Sequence, residues 1–177
     1  MALTTGQITL VYPSSWPSIT STGTTIGGTP STGSIVTNIA TGVFPTGTSS
    51  VPGGTTYVRY SKLFYLHTGS TGAGDLLQNP LIYIANEAIS DQITLAPDPY
   101  WLGSHAAQTG TSTGRAILPD GLSASHFSGY TSESPLTFST TMSSGNSIGF
   151  WVKMSVPAGL TSRTDNSFDI VLRGDIV

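Results

Sequence analysis

The first 58 residues of this chain contain no Asp, Glu, Lys, Arg or His, and the first charged side chain is Arg59. Disordered tails usually owe their solubility to net charge, which this stretch lacks. Residues 7–12 and 34–39 read as short strands. Ile8, Leu10 and Tyr12 share one face at period two, as do Ile35, Thr37 and Ile39. The pattern predicts an extended arm over 1–54 that becomes ordered against another surface. Two alternatives stay open: a flexible linker, or a first hairpin of the same domain.

The remaining residues, 55–177, are predicted to form one β-sandwich domain. No window shows a convincing helical period, and short apolar runs alternate with turns rich in Gly, Ser, Thr and Asn. The predicted strands cover 57–67, 81–85, 92–96, 115–118, 136–140, 148–156 and 167–173. Such alternation favours antiparallel pairing with two packed sheets. The expected fold is therefore all-β: an antiparallel sandwich, Ig-like or jelly-roll-like, with an extended N-terminal arm.

The last two predicted strands have clear inner and outer faces. In 148–156 the even-numbered residues are apolar, while Trp151 and Lys153 point outward. In 167–173 the inward residues are Phe168, Ile170 and Leu172, and Asp169 and Arg173 point outward. If these strands are partners, Lys153 and Asp169 form a cross-strand pair. An outward Trp151 predicts a cover from the arm, a loop or another subunit.

Charge is scarce along the whole chain, and this excludes several classes of protein. Only 8% of residues are charged and the net charge is -3, against about 25% charged residues in ordinary domains. Six Lys and Arg side chains are too few to form the positively charged surface that binds nucleic acid. No apolar run of membrane-spanning length occurs, so no membrane partner is expected. The absence of Cys rules out disulfides and thiolate metal sites.

Residues suited to catalysis are few and scattered. His67, His105 and His126 lie far apart, and the only two glutamates are Glu87 and Glu133. No nucleophile elbow, phosphate loop or calcium loop is present. We therefore expect no catalytic residue, no metal and no cofactor, and a protein that is not an enzyme.

Loop aromatics are the remaining candidates for binding. Tyr100, Trp101, Phe127 and Tyr130 could form a sugar-stacking platform, since exposed rings suit both glycans and protein interfaces. Trp101 could equally cap the core. The candidate interface residues are Tyr12, Trp16, Ile35 and Ile39 in the arm, with Trp101 and Trp151 on the body.

Two parts of the chain resemble a known family. The segments 150–159 (FWVKMSVPAG) and 166–174 (NSFDIVLRG) resemble the closing hairpin of Ig-like sandwiches. The segments 59–64 (RYSKLF) and 81–86 (LIYIAN) are similar to strands in small Ig-like structural proteins of tailed-phage virions. This resemblance covers roughly 57–96 and 148–174 and implies virion membership without a position in the virion.

The scarcity of charged residues also favours a subunit of a larger assembly. A neutral arm can cross a neighbour without burying unpaired charge, and its strands can join an exposed sheet edge. The expected function is a virion structural protein, a capsid decoration or cement subunit assembled in the host cytoplasm. Its expected partners are the major capsid protein, other virion proteins and sister subunits, with a trimer as the expected oligomer. The alternatives are a tail, fibre or baseplate component, or a carbohydrate-binding adhesin module.

Overall fold

The computed structural model describes residues 7–15, 25–35, 57–68, 76–87, 92–98, 108–109, 122–156 and 168–177. In these ranges almost all regular structure is β-strand, which confirms the all-β prediction. The strands are β1 (Ile8–Ser15), β2 (Thr25–Ile35), β3 (Tyr57–His67), β4 (Leu77–Ala85), β5 (Ile93–Pro97), β6 (Gln108–Thr109), β7 (Leu136–Thr137), β8 (Thr141–Met142), β9 (Ser147–Val156) and β10 (Asp169–Ile176). A single turn of 3-10 helix covers Ala124–His126. No helix in this part of the chain is long and apolar enough to span a membrane.

The strands form two antiparallel sheets. The larger has six strands in the order β5-β9-β3-β1-β2-β6. The smaller has the order β10-β4-β7, with β8 also paired to β4. The longest ladder joins β3 to β9, from Tyr57 opposite Val156 to Leu66 opposite Ser147. Both strands are rich in aromatic and β-branched residues, which suit a pleated and buried surface.

Side chains from both sheets contribute to one apolar core. Leu63 of β3, Phe150 of β9 and Leu95 of β5 enter it from the six-stranded sheet, and Ile82 of β4 enters from the smaller sheet. All four are 0% exposed. The remaining members are Tyr65, Leu77, Ile84, Ile93, Leu136, Phe138, Met142, Ile148 and Val152. The inner face predicted for 148–156 is confirmed at Ile148, Phe150 and Val152.

The two C-terminal strands lie in different sheets. β9 pairs with β3 and β5, whereas β10 pairs with β4. The predicted pairing of 148–156 with 167–173 is therefore wrong, and so is the Lys153–Asp169 pair. Asp169 instead accepts a hydrogen bond from Asn86 Nδ2 at 2.6 Å. A strand with one apolar face can pair within a hairpin or lie in a separate sheet, because either arrangement buries only that face. The pattern of 148–156 and 167–173 therefore did not determine their partners.

The N-terminal segment contributes strands to the larger sheet. Ile8 to Val11 of β1 pair with His67 to Phe64 of β3, and β1 also pairs with β2. Val11 is 0% exposed and packs with Phe64 and Leu66. This placement corresponds to the alternative of a first hairpin in the same domain. β2 covers 25–35, whereas the pattern predicted a strand over 34–39, of which the later residues lie outside the described ranges.

Tyr65 connects the two sheets through a hydrogen bond. Its hydroxyl donates to the Ile170 carbonyl oxygen of β10 at 2.8 Å. Burial raises the pKa of Tyr65 well above the ordinary value of 10.0. Burial also raises the pKa of Tyr60.

We expect unfolding above about pH 10, the ordinary tyrosine pKa, to become easier with increasing pH. The raised pKa means that the folded chain keeps the Tyr65 proton while the unfolded chain loses it. The stabilisation is complete below pH 10 and falls as pH rises towards the folded pKa. Urea titrations between pH 8 and 11 measure this fall, which should be smaller in Tyr65→Phe. An equal fall in Tyr65→Phe would contradict the assignment. At pH 8 this substitution should cost about 1 kcal/mol for the lost hydrogen bond.

Candidate functional site

Part of the second face of the six-stranded sheet, around β9, is also buried. Tyr60, Ala96, Phe127 and Trp151 form a separate cluster there, and Trp151 is 0% exposed. The Phe127 ring lies 5.3 Å from the Tyr60 ring, between centroids. Phe127 is held in place because Ser128 exchanges two backbone hydrogen bonds of 2.9 Å with Leu95 of β5. A loop of the same chain therefore covers the outward face of β9.

A buried ion pair lies on this second face. The Lys62 Nζ atom is 2.5 Å from Asp98 Oδ2, and both side chains are 0% exposed. Lysine and aspartate are rarely buried so completely unless they are paired. Removing both charges from water is costly, so this pair is the chemically most unusual feature of the described residues.

Strand register brings the two charges together across β9. Lys62 lies opposite Trp151, and Asp98 follows directly after β5 and donates its backbone N–H to the Gly149 carbonyl oxygen at 3.2 Å. Gly149 lies opposite Phe64 on the other side. The Lys62 side chain therefore crosses β9 to reach Asp98, and it passes beside Gly149, which has no side chain. A Cβ atom on Gly149 would lie 3.0 Å from both Asp98 Oδ2 and Phe64 Cε1.

Aromatic rings surround the ammonium group. Lys62 Nζ lies 5.1 Å from the Phe64 ring centroid and 5.7 Å from the Trp151 centroid. Both distances are within the range of cation–π attraction, which is stronger when water is excluded. The rings and the carboxylate together compensate for part of the lost hydration of Lys62. Because the pair is closed to solvent, it has the surroundings of a structural group and not of a site for a diffusing substrate.

The predicted binding residues have different placements. Trp151 is 0% exposed and packs with Phe127 of a loop, which is one of the three covers predicted for it, and its role in contacting another protein stays a prediction. Phe127 is 9% exposed, and its role in a sugar platform likewise stays a prediction. Tyr130 is half-buried against the core.

The side chains of the other predicted binding residues lie outside the part of the chain that the structure describes. Tyr12 and Ile35 lie in described strands, although their side chains lie outside the described residues. Trp16, Ile39, Tyr100 and Trp101 lie wholly outside them.

Two of the described residues that were considered for catalysis accept hydrogen bonds from nearby backbone N–H groups. Glu87 Oε1 accepts hydrogen bonds from the backbone N–H groups of Gln92 at 3.1 Å and Ile93 at 2.8 Å, which fixes the start of β5. His126 Nδ1 accepts one from the Ser123 backbone N–H at 3.1 Å. His67 is buried at the end of β3. No group of three or more potential metal ligands occurs among the described residues.

An open cavity of about 430 Å³ lies on the four-stranded sheet. Its lining includes Asn79, Phe138, Arg173 and Asp175. The Arg173 guanidinium carbon lies 5.2 Å from the Tyr83 ring centroid. This cavity has the open shape of a surface groove and brings together one cation and one carboxylate.

Comparison with known proteins gives no relative. No protein-family model, curated protein or solved structure matches the chain.

Sequence reasoning missed the Lys62–Asp98 pair, although one signal was present. Lys62 stands between Tyr60 and Phe64 at spacing two, so the three share one face of β3. A cation on an aromatic face of a chain with so few charges indicates a buried partner. Its identity could not be read from the sequence, because Asp98 lies 36 residues further along.

Proposed function

We propose that this chain is a non-enzymatic structural subunit of a virion, with capsid decoration or cementing as its role. The observation that carries the proposal is an uncharged strand near one end of the six-stranded sheet. β2 has 11 residues and no charged side chain. Among the described residues, its outer edge pairs only with β6, at Thr25 and Ile26. Edge strands of isolated proteins are usually protected by charges, so an uncharged edge favours pairing with another chain.

The fold supports this role in a second way. Two sheets with a shared core form the antiparallel sandwich that we propose for this domain, and the Lys62–Asp98 pair is closed to solvent. A rigid body of this kind suits a lattice component, for which stability matters more than access to a reacting group. The proposed partners are the major capsid protein and sister subunits, in a homotrimer assembled in the host cytoplasm.

Co-sedimentation tests the proposed binding. Purified chain is mixed with tailed-phage particles that lack it, and the pellet is quantified against the free protein. We expect saturable binding that persists at high salt, because few charged groups are available to be screened. Binding that disappears as salt increases, or no saturation, would contradict the proposal.

A carbohydrate-binding module is the second candidate, and the open cavity lined by Phe138, Arg173 and Asp175 is the observation that favours it. A glycan array with the full chain separates the two. Specific sugar binding that is lost in Arg173→Ala, without particle binding, would favour the adhesin function. No sugar binding together with saturable particle binding would favour the virion function.

A further inference from the structure

We propose that Lys62 and Asp98 are joined by an intramolecular amide bond that forms in the folded chain. This proposal concerns the chain's own chemistry and does not depend on the virion function. Its basis is the juxtaposition of one amine and one carboxyl group, both 0% exposed, with Nζ and Oδ2 2.5 Å apart.

The contact geometry differs from that of an ordinary ion pair. Although Nζ and Oδ2 are very close, the contact lacks the angles of a hydrogen bond. A buried charged pair is normally stabilised by well-aligned hydrogen bonds. Because Nζ is held 2.5 Å from one oxygen of the carboxyl group, it has only a short distance to move to reach the carboxyl carbon. Reacting groups held in such an arrangement gain a large advantage in rate over groups that meet by diffusion.

The surroundings favour the neutral product. Phe64, Trp151 and the Cβ-free backbone of Gly149 enclose the pair. Two separate charges are costly in such a place, whereas an amide carries none. Water is excluded from both side chains, so hydrolysis of the product is slowed as well.

The chemical step balances without any other reactant. One proton first passes from the Lys62 ammonium group to the Asp98 carboxylate, which gives a neutral amine and a carboxylic acid. Nζ then attacks Cγ of Asp98, so an N–C bond forms and one C–O bond breaks. A second proton from Nζ joins the departing hydroxyl, which leaves as water, and the third stays on the amide nitrogen. No oxidant, nucleotide or metal is consumed. The product connects β3 covalently to the residue that follows β5, with β9 between them, in a chain without cysteine.

The test is the mass of the full chain, purified and then measured under denaturing conditions. The chain has only two lysines, Lys62 and Lys153, which makes the result easy to assign. We expect the major species to be lighter than the sequence mass by one water, about 18 Da. Lys62→Arg should restore the full mass, because a guanidinium does not form the amide and yet keeps the positive charge. Lys153→Arg is the matched control and should keep the loss.

Trypsin digestion locates the bond. An amidated Lys62 resists cleavage, so residues 60–115 should appear as one peptide that is lighter by one water. A free Lys62 gives the separate peptides 60–62 and 63–115 instead. Cyclisation at Asp120-Gly121 also removes one water, but would place the loss in peptide 116–153. Full mass in the folded wild-type chain, a loss that persists in Lys62→Arg, or a loss confined to 116–153 would each overturn the proposal.

Discussion

Asp98→Ala should lower the free energy of unfolding by about 3–5 kcal/mol, the usual effect of leaving one member of a buried ion pair without the other. Lys62 would be left at a position that is 0% exposed without the carboxylate beside its amine, near the Phe64 and Trp151 rings. If the amide has formed, the substitution also opens a covalent loop of roughly 37 residues, worth about 4 kcal/mol by chain-entropy arguments. Urea unfolding followed by tryptophan fluorescence measures the change.

Two further variants make this prediction specific. Asp169→Ala removes an exposed carboxylate with one side-chain partner, and should change stability by less than about 1 kcal/mol. The double variant Lys62→Met with Asp98→Ala removes both charges. For a simple ion pair it should recover most of the loss, since apolar replacements of buried pairs are often neutral. For an amide it should remain well below the wild type. Unchanged stability in Asp98→Ala would contradict both descriptions of the pair.

Deleting residues 1–54 should destabilise the rest of the chain by several kcal/mol. The deletion removes β1, which pairs with β3 from Ile8 to Val11 and buries Val11 completely. Burial of one such side chain contributes about 1.5–3 kcal/mol, and Ile8 and Leu10 add part of the same amount. Loss on the order of 5 kcal/mol is comparable with the whole stability of many domains. The uncovered β3 edge should also promote aggregation.

Point variants separate the effect of lost side-chain packing on stability from the effect of removing the whole segment. Val11→Ala should cost about 2 kcal/mol, from lost burial and the space left behind. Thr9→Ala is the matched control on the same strand, where a half-buried hydroxyl side chain should matter little. Circular dichroism and urea midpoints measure both variants and the deletion. A deleted chain that unfolds at the wild-type midpoint would show that 1–54 is a separate arm, as the composition alone predicted.

Local patterns in the sequence predicted individual strands well. The run 57–67 matches β3, and 148–156 matches β9 within one residue, because each has a continuous series of aromatic and β-branched side chains. The inward positions Ile148, Phe150 and Val152 followed from period two alone. Strands with weak patterns were harder to predict: β2 consists largely of Gly, Thr and Ser, and the predicted strand began at residue 34, nine residues after the start of β2.

Partnership between strands could not be read from these patterns. A strand with one apolar face fits either of two facing sheets, so β9 and β10 were assigned to one hairpin. Trp151 was predicted to point away from the core, and it does lie in a different cluster from Phe150. Its cover by Phe127 could not be predicted, because Phe127 belongs to a loop that is distant in sequence. The Lys62–Asp98 pair likewise depends on β9 lying between β3 and β5, which local sequence does not encode.

The number of copies of this chain per purified virion tests the proposed function most directly. Quantitative mass spectrometry gives this number relative to the major capsid protein, from particles grown in the host that produces the chain. The decoration function predicts a stoichiometry comparable with that of the capsid lattice, of the order of hundreds of copies per particle if each local three-fold position carries a trimer. Absence of the chain from washed particles, while it accumulates free in the lysate, would contradict a structural role in the virion.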